Sequence, residues 1–313
     1  MKSKFALFLL VCVVAYIGIS FMEGSGSVPV RYNTLTDSSR IMFSLPPEKY
    51  YESELVLPKP PRLKAYSAIV VDNRTNQILY QKKADVKRPI ASITKLLAAL
   101  VLVETEFDLT SKIKISRWDA RTSSSSRLKI GEKFLAKDLF YAALIASDNR
   151  AIRALARSGD MPYKEFVKMM NKTAKTLGLD STRVVDPSGI YSRNISTASD
   201  CARLLNYALR YPIIRAALSC RKYEFRSLNH KLLHRVNNTN RLLKSSWDVV
   251  GGKTGYISAS GFCLAVKMKD DHKADITTVV LGTPSNNYRF SETRKIASWA
   301  FESLAMKSAQ RGH

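Results

Sequence analysis

The chain has 313 residues, enough for one or two compact domains with a large core, and 45% of them are hydrophobic, as in an ordinary globular protein. The charge is less ordinary: 50 Lys and Arg against 26 Asp and Glu leave a formal +24 at pH 7. Such a surface favours anionic partners, whether nucleic acid, acidic lipid headgroups or an anionic cell-wall polymer, but it selects no reaction.

Lys2 and Lys4 precede a weakly polar to apolar run from Phe5 to Met22, the pattern of a secretory signal or a membrane anchor. The run is at the short end of what spans a bilayer, and Glu23, Gly24, Ser25, Gly26 and Ser27 suit either a cleavage site or a flexible stalk. Bulky Val11 before Cys12 argues against a lipid-modified cysteine. Residues 1–27 are thus read as a signal peptide or anchor. Residues 28–62, rich in Pro, Ser and Tyr and ending in "LPKPPR", read as a linker, and 63–313 as one folded domain.

From Ala65, "AYSAIVVDN" and "QILYQKK" flank "RTN" as two strands around a turn. "PIASITKLLAALVLVE", Pro89 to Glu104, reads as a strongly apolar helix, and further helices are expected over Ala136–Ile145, Tyr163–Leu177 and Thr197–Tyr211. Thr197 and Asp200 suit a capping arrangement, and "DPSG" at 186–189 marks a loop. Beyond Trp247, "GFCLAVKM" and "ADITTVVLG" are strand-like, and an amphipathic helix follows over Ser291–Met306. Strands at both ends around a helical middle imply an α+β fold with a single sheet built from the two chain ends. Cys201, Cys220 and Cys263 form no C-x-x-C, so neither a zinc site nor a disulfide framework is indicated; Cys201 and Cys220 either pair or leave a buried thiol at Cys201.

The pattern S-x-x-K occurs at Ser92–Lys95, Ser111–Lys114, Ser126–Lys129 and Ser219–Lys222, but only Lys95 lies inside a long apolar helical run. A buried ammonium tends to lose its proton, and lysine pKa values fall by up to ~5 units on full burial. Neutral Lys95, one turn from Ser92, can take the hydroxyl proton as Ser92 attacks a carbonyl. Near the helix N-terminus, backbone N–H groups would face that carbonyl. The competing reading has Lys95 snorkelling to the surface while Ser92 caps the helix. In "ASDNRA", 146–151, Ser147 and Asn149 project from a turn and can relay a proton and hold a substrate amide, although S-x-N recurs at Ser192, Ser227 and Ser285. "GGKTGY", 251–256, occurs once: paired glycines let a backbone approach a ligand, and Lys253 and Thr254 can bind a carboxylate. A phosphate-binding loop is excluded because Trp247 stands where its first glycine belongs.

Ser-x-x-Lys, Ser-Asp-Asn and Lys-Thr-Gly in that order resemble the signature of the penicillin-recognising serine enzymes. Together with "GEKFLAKDLFYAALIASDNRA", "LGLDSTRVVDPSG", "STASDCARLL" and "NNTNRLL", the chain resembles a low-molecular-mass penicillin-binding protein, a D-alanyl-D-alanine carboxypeptidase or endopeptidase, with "ASDNRA" leaning to the endopeptidases. The resemblance implies a β-lactamase/transpeptidase-like fold, an antiparallel sheet flanked by an all-helical subdomain. It implies peptidoglycan peptide stems as substrate and β-lactam antibiotics as inhibitors, with no nucleic acid, metal or other cofactor. The location implied is periplasmic, secreted or attached to the inner membrane by the N-terminus. Ser92 would be the nucleophile, Lys95 its base, Ser147 the proton relay, Asn149 the peptide clamp and Lys253 an electrostatic tuner. The N–H groups of Ser92 and Tyr256 would form an oxyanion hole beside Gly255, worth ~3 kcal/mol per donor in other hydrolases. Thr254 would hold the terminal carboxylate. Arg289 matches a carboxylate-binding arginine of some carboxypeptidases, the alternative being a solvated surface arginine.

Ile257 departs from the threonine common in such enzymes, and the chain stops after the final helix without their extra β domain and amphipathic tail. A class A-like β-lactamase shares the three motifs but needs a glutamate, usually in E-x-x-L-N, which does not occur here. A non-catalytic basic cell-wall-binding protein is the second alternative. His230, His234, His272 and His313 are not needed for serine–lysine chemistry.

Overall fold

The computed structural model describes residues 57–121, 126–271 and 274–311. The expected signal or anchor, Cys12 and most of the expected linker lie outside them. Among the described residues no helix is long and apolar enough to cross a membrane.

Strands β1 (Ser67–Asp72), β2 (Ile78–Lys82) and β3 (Arg88–Pro89) lead through a 3-10 turn (Ala91–Thr94) into α1 (Lys95–Glu104). The middle comprises β4 (Lys112–Lys114), α2 (Arg117–Ala120), β5 (Lys133–Leu135), α3 (Ala136–Ile145), α4 (Asn149–Ser158), α5 (Tyr163–Thr176), β6 (Ile195–Ser196), α6 (Ala198–Ala208) and α7 (Pro212–Ser219). The hairpin β7 (Lys222–Arg226) and β8 (Leu233–Asn237) follows, then β9 (Asp248–Ile257), β10 (Gly261–Lys269), β11 (Asp275–Thr283) and α8 (Asn286–Arg311).

The main sheet has the order β2-β1-β11-β10-β9 and is antiparallel, so strands from both ends of the folded region meet as expected. Successive side chains of a strand point to opposite faces, and here both faces are covered. Ala68, Val70, Leu264, Val266 and Val280 pack with Phe290, Ile296, Ala297 and Ala300 of α8. Their neighbours Ile69, Cys263, Ala265, Val279 and Leu281 join the larger core of the helical lobe. β9 lies at one edge of the sheet.

Helix α1, "KLLAALVLVE", is apolar on all sides, a pattern that a helix can hold only inside the protein. Residues Lys95 to Leu102 are all buried, and α1 packs against α3, α4, α5 and α6. Each buried leucine contributes about 2 kcal/mol relative to exposure.

The expected helix from Pro89 is divided. Arg88 and Pro89 pair with Ser196 and Ile195 in a short ladder, Ile90 N–H donates to Asn194 O at 3.1 Å, and Ala91 has φ of 48°. The α-helix therefore starts only at Lys95. The helical lobe also carries two-stranded ladders, β3–β6, β4–β5 and β7–β8, beside the expected helices. α8 begins earlier than its periodicity suggested, because Arg289 and Phe290 already turn inward. Thr197 caps α6, its hydroxyl accepting Asp200 N–H at 3.0 Å. Cys201 and Cys220 are unpaired thiols, Cys201 fully buried, so the pairing option is not realised.

The two ends of the folded region are tied through Glu292 of α8, whose carboxylate accepts N–H groups of Lys64 at 2.7 Å and Ala65 at 2.6 Å just before β1. Removing the acceptor leaves both donors unpaired at the base of the sheet. Glu292→Ala is expected to cost about 3 kcal/mol in urea unfolding; a loss below about 0.5 kcal/mol would show that water replaces the carboxylate without penalty.

Candidate active site

Ser92 lies in the 3-10 turn and Lys95 is the first residue of α1. Ser92 is half-buried, whereas Lys95 is completely buried; Lys114, Lys129 and Lys222 of the competing S-x-x-K pairs are all exposed. The snorkelling alternative for Lys95 is therefore excluded. Its Nζ donates to Ser92 Oγ at 2.8 Å, Asn149 Oδ1 at 2.6 Å and Ser188 O at 2.7 Å. Two of these partners, a backbone carbonyl and an amide oxygen, can only accept. When Lys95 is neutral they claim its two N–H bonds, and the lone pair is left for the one partner that can donate, the Ser92 hydroxyl. Burial pushes the Lys95 pKa down to about 7, with Asp186 and Asp148 opposing the shift. The amine thus carries a lone pair aimed at a hydroxyl near neutral pH.

The carbonyl of Ser188 is held by a buried polar loop. Asp186 accepts the Ser188 N–H at 2.9 Å and also the Ser188 hydroxyl and the Asn194 amide. Asn194 Oδ1 in turn accepts Val185 N–H at 2.8 Å, while Asn194 O accepts from Ile90, just before the 3-10 turn. Gly189 has φ of 79°, and a Cβ there would stand 1.9 Å from Ala91 O. Only glycine lets this loop lie against the strained turn that presents Ser92.

A second serine–lysine pair faces the first. Ser147 follows α3 with φ of 61°, and Asn149 opens α4, capped by Asp148, whose carboxylate accepts Ala151 N–H at 3.0 Å. The left-handed backbone at a non-glycine residue stores strain where the hydroxyl is aimed inward. Lys253 Nζ donates to Ser147 Oγ at 2.8 Å and to Thr254 O at 3.0 Å. Lys253 is 1% exposed, and burial, followed by the positive charges of Lys95 and Arg289, holds its pKa well below the ordinary lysine value. Ser147, Asn149 and Lys253, distant in sequence, are thereby brought to Ser92 and Lys95.

"GGKTGY" lies within the edge strand β9 rather than before a strand. The paired glycines do not make room for a ligand: a Cβ on Gly251 would meet Leu209 at 2.6 Å, and one on Gly252 would meet Asn240 at 2.8 Å and Ala265 O at 2.9 Å. Close approach belongs to Gly255, where a Cβ would fall 2.7 Å from Ile90 O and 3.2 Å from Ser92 N. This glycine allows β9 to run beside the turn that carries Ser92, with Tyr256 next to it, 52% exposed and stacked on Phe262. Thr254 is buried, its hydroxyl 2.6 Å from that of Thr239.

Arg289 is not a solvated surface arginine. It is buried, donates through Nη1 to Gly255 O at 3.1 Å, and its guanidinium lies over the rings of Phe262 and Phe290. Its Nε has no hydrogen-bond partner among the described residues. Burial lowers its pKa to about 10, so it is charged at neutral pH and places a cation behind Gly255. Among the described residues no group of three or more His, Cys, Asp or Glu is arranged to hold a metal ion.

Sequence reasoning missed Asp186, Ser188, Asn194 and Thr239 as parts of the site. "DPSG" read only as a loop, and nothing local shows that a loop carbonyl is the third acceptor for a lysine 93 positions earlier. The available signal was the polar density of 186–197 beside apolar helices, since Asp186, Ser188, Asn194, Ser196 and Thr197 are all buried.

Residues 55–285 match the family described as D-alanyl-D-alanine carboxypeptidase. The chain is 33% identical over 242 residues to a D-alanyl-D-alanine endopeptidase of Escherichia coli, covering 76% of this chain and 78% of that one. It is 33% identical over 248 residues to a D-alanyl-D-alanine endopeptidase of Pseudomonas aeruginosa, covering 78% and 79%. Among solved structures it is similar to a Streptomyces DD-transpeptidase, with a TM-score of 0.73 and 27% identity over 78% of this chain and 99% of that chain. Penicillin binding protein 5 of Haemophilus influenzae gives a TM-score of 0.71 and 25% identity over 78% and 72%. The α+β fold is that of the DD-transpeptidases, and the chain belongs to the D-alanyl-D-alanine carboxypeptidase family, a serine penicillin-binding peptidase of the endopeptidase or carboxypeptidase kind.

Proposed function

We propose that Ser92 is the nucleophile and Lys95 its general base in cleaving D-alanyl bonds of peptidoglycan peptide stems. The observation that carries this is the completely buried Lys95 amine, whose only hydrogen-bond partner able to donate, among the described residues, is the Ser92 hydroxyl. Ser92 Oγ bonds to the D-alanyl carbonyl carbon while its proton passes to Lys95; the C–N bond breaks as the leaving amine gains a proton through Ser147. Water then attacks the ester carbonyl, the C–O bond to Ser92 breaks, and the hydroxyl regains its proton. The N–H groups of Ser92 and Tyr256 receive the developing oxyanion, an arrangement supported by the approach of Gly255 to Ser92 N. Asn149 holds the peptide, Lys253 supports Ser147, and Thr254 with Arg289 holds a carboxylate on the leaving side.

Cleavage of cross-links between stems is favoured because the two 33% identical relatives described above are endopeptidases. β-Lactam antibiotics acylate the same serine. The domain from residue 63 works outside the cytoplasm, periplasmic or held at the inner membrane by residues 1–27.

Two outcomes are expected. The rate of Ser92 acylation by a fluorescent penicillin rises about thirtyfold between pH 5.5 and 8.5, because Lys95 becomes neutral as the pH passes about 7. A flat profile contradicts the assignment of Lys95, and covalent labelling that survives Ser92→Ala contradicts that of Ser92. A rapidly lost adduct would mark a β-lactamase instead. With purified muropeptides, cross-linked dimers disappear while free pentapeptides keep their terminal D-alanine; the reverse pattern identifies a carboxypeptidase.

A further inference from the structure

The hairpin β7–β8 is apolar underneath and unusual at its tip. His234 and Val236 are buried, the His234 ring stacking on Phe225 with centroids 5.4 Å apart and meeting Phe134 edge-on at 5.1 Å. At the turn the burial ends: residues 229–233 are exposed without interruption, Leu232 by 43% and Leu233 by 39%. Ile130, 52% exposed, lies beside the same turn, because Asn229 donates through Nδ2 to Gly131 O at 3.0 Å and accepts Lys133 N–H at 2.9 Å. Five large aliphatic side chains are exposed among the described residues, and this one tip holds three of them. Scattered singly they would need no explanation; gathered together they mark a contact surface.

The outward posture is built into the turn. Leu228 N–H donates to Lys133 O at 2.7 Å, and buried Ser227 donates its N–H to Leu232 O and accepts Leu232 N–H on its hydroxyl, both at 3.0 Å. Lys231 takes φ of 55°, a left-handed conformation that a residue with a side chain adopts at a cost. The flanks are basic: Lys129, Lys133, Arg226 and Lys231 are exposed and form no ion pair among the described residues. Over 127–133 and 226–235 the only acid is Glu132, which is 1% exposed and already held by His234 and by Lys129 N–H at 2.6 Å. Arg235, farther along β8, is engaged by Glu224.

An aliphatic tip ringed by free cations suits a surface that is anionic outside and apolar beneath. A polyanion in water would meet the cations and leave the leucines wet. An acidic bilayer takes both, with phosphates against the lysines and the arginine and the aliphatic side chains at the acyl boundary. We propose that the tip of the β7–β8 hairpin, together with Ile130, is a peripheral docking site for an acidic phospholipid surface. The site uses neither residues 1–27 nor any residue of the centre around Ser92, so it stands apart from the reading of the chemistry.

The test is hydrogen exchange of the full-length protein with vesicles of phosphatidylglycerol or of phosphatidylcholine. It is read at the backbone N–H groups of Asn229 and His230, which have no acceptor among the described residues. Phosphatidylglycerol vesicles at low salt are expected to slow exchange there about tenfold, equivalent to roughly nine-tenths of the molecules docked, and added salt should reduce the effect. Phosphatidylcholine vesicles should leave it unchanged, which separates docking by the tip from tethering through the N-terminal segment. The slowing should disappear in Leu232→Ser/Leu233→Ser and in Lys129→Gln/Lys231→Gln, each checked for a wild-type unfolding midpoint. Unchanged exchange with phosphatidylglycerol overturns the proposal, as does equal slowing with both lipids or undiminished slowing in the folded variants. Slowing that appears without vesicles and grows with protein concentration identifies a second copy of the chain as the occupant and overturns it as well.

Discussion

One ammonium, denied water, organises this molecule. Lowering a lysine from 10.5 to about 7 by burial corresponds to a cost on the order of 5 kcal/mol for keeping its charge. Three acceptors within 2.8 Å offset only part of that cost when Lys95 is protonated, so the amine is free to be neutral near pH 7, with its lone pair facing the Ser92 hydroxyl. In the mechanism proposed above, the same group answers two questions: how an apolar helix carries a lysine and how the neighbouring Ser92 would be activated.

The rest of the architecture can be understood as a mould around that amine. α1 is apolar on every side because it fills the centre of the helical lobe, and this seals Lys95 from solvent. Gly189 and Gly255 clamp the turn 90–92 from two directions, each at a separation that a Cβ would forbid. The Asp186–Asn194 pair fixes the loop that offers Ser188 O, and the end of α3 delivers Ser147 and Asn149. Lys253 repeats the design on β9, where a buried amine again meets a hydroxyl and a carbonyl. Two lowered amines and one charged arginine in a small volume repel each other, which favours neutral lysines and reserves the permanent charge for Arg289.

Much of this was legible in the amino-acid sequence, for identifiable reasons. The inner strands of the main sheet, buried on both faces, declare themselves as short apolar runs bounded by turns, the helix 136–145 as a longer apolar run, and the capping of α6 by Thr197 is a local signal. Lys95 was separable from three other S-x-x-K lysines because its neighbours are apolar, a property that burial depends on directly. What stayed hidden depends on contacts distant along the chain. The break of the 89–104 segment is imposed by pairing with 195–196 and by Gly189, neither of which alters the composition of the segment. The wrong pair of glycines was chosen in "GGKTGY" because closeness to Ile90 and Ser92 is a tertiary fact. For Arg289 the sequence left a carboxylate-binding arginine and a solvated surface arginine both open, and only the fold, which buries it against Gly255 O, excludes the second.

The most direct test of the central claim is the titration of Lys95 itself. NMR of the protein carrying 13C-labelled lysine side chains should show the Lys95 ε-carbon, assigned by its loss in Lys95→Arg, titrating near pH 7, with the Lys253 signal, also displaced downward, told apart by its persistence in that variant. A Lys95 signal that stays protonated to about pH 10 would contradict the account, because the amine could then not serve as a base at neutral pH.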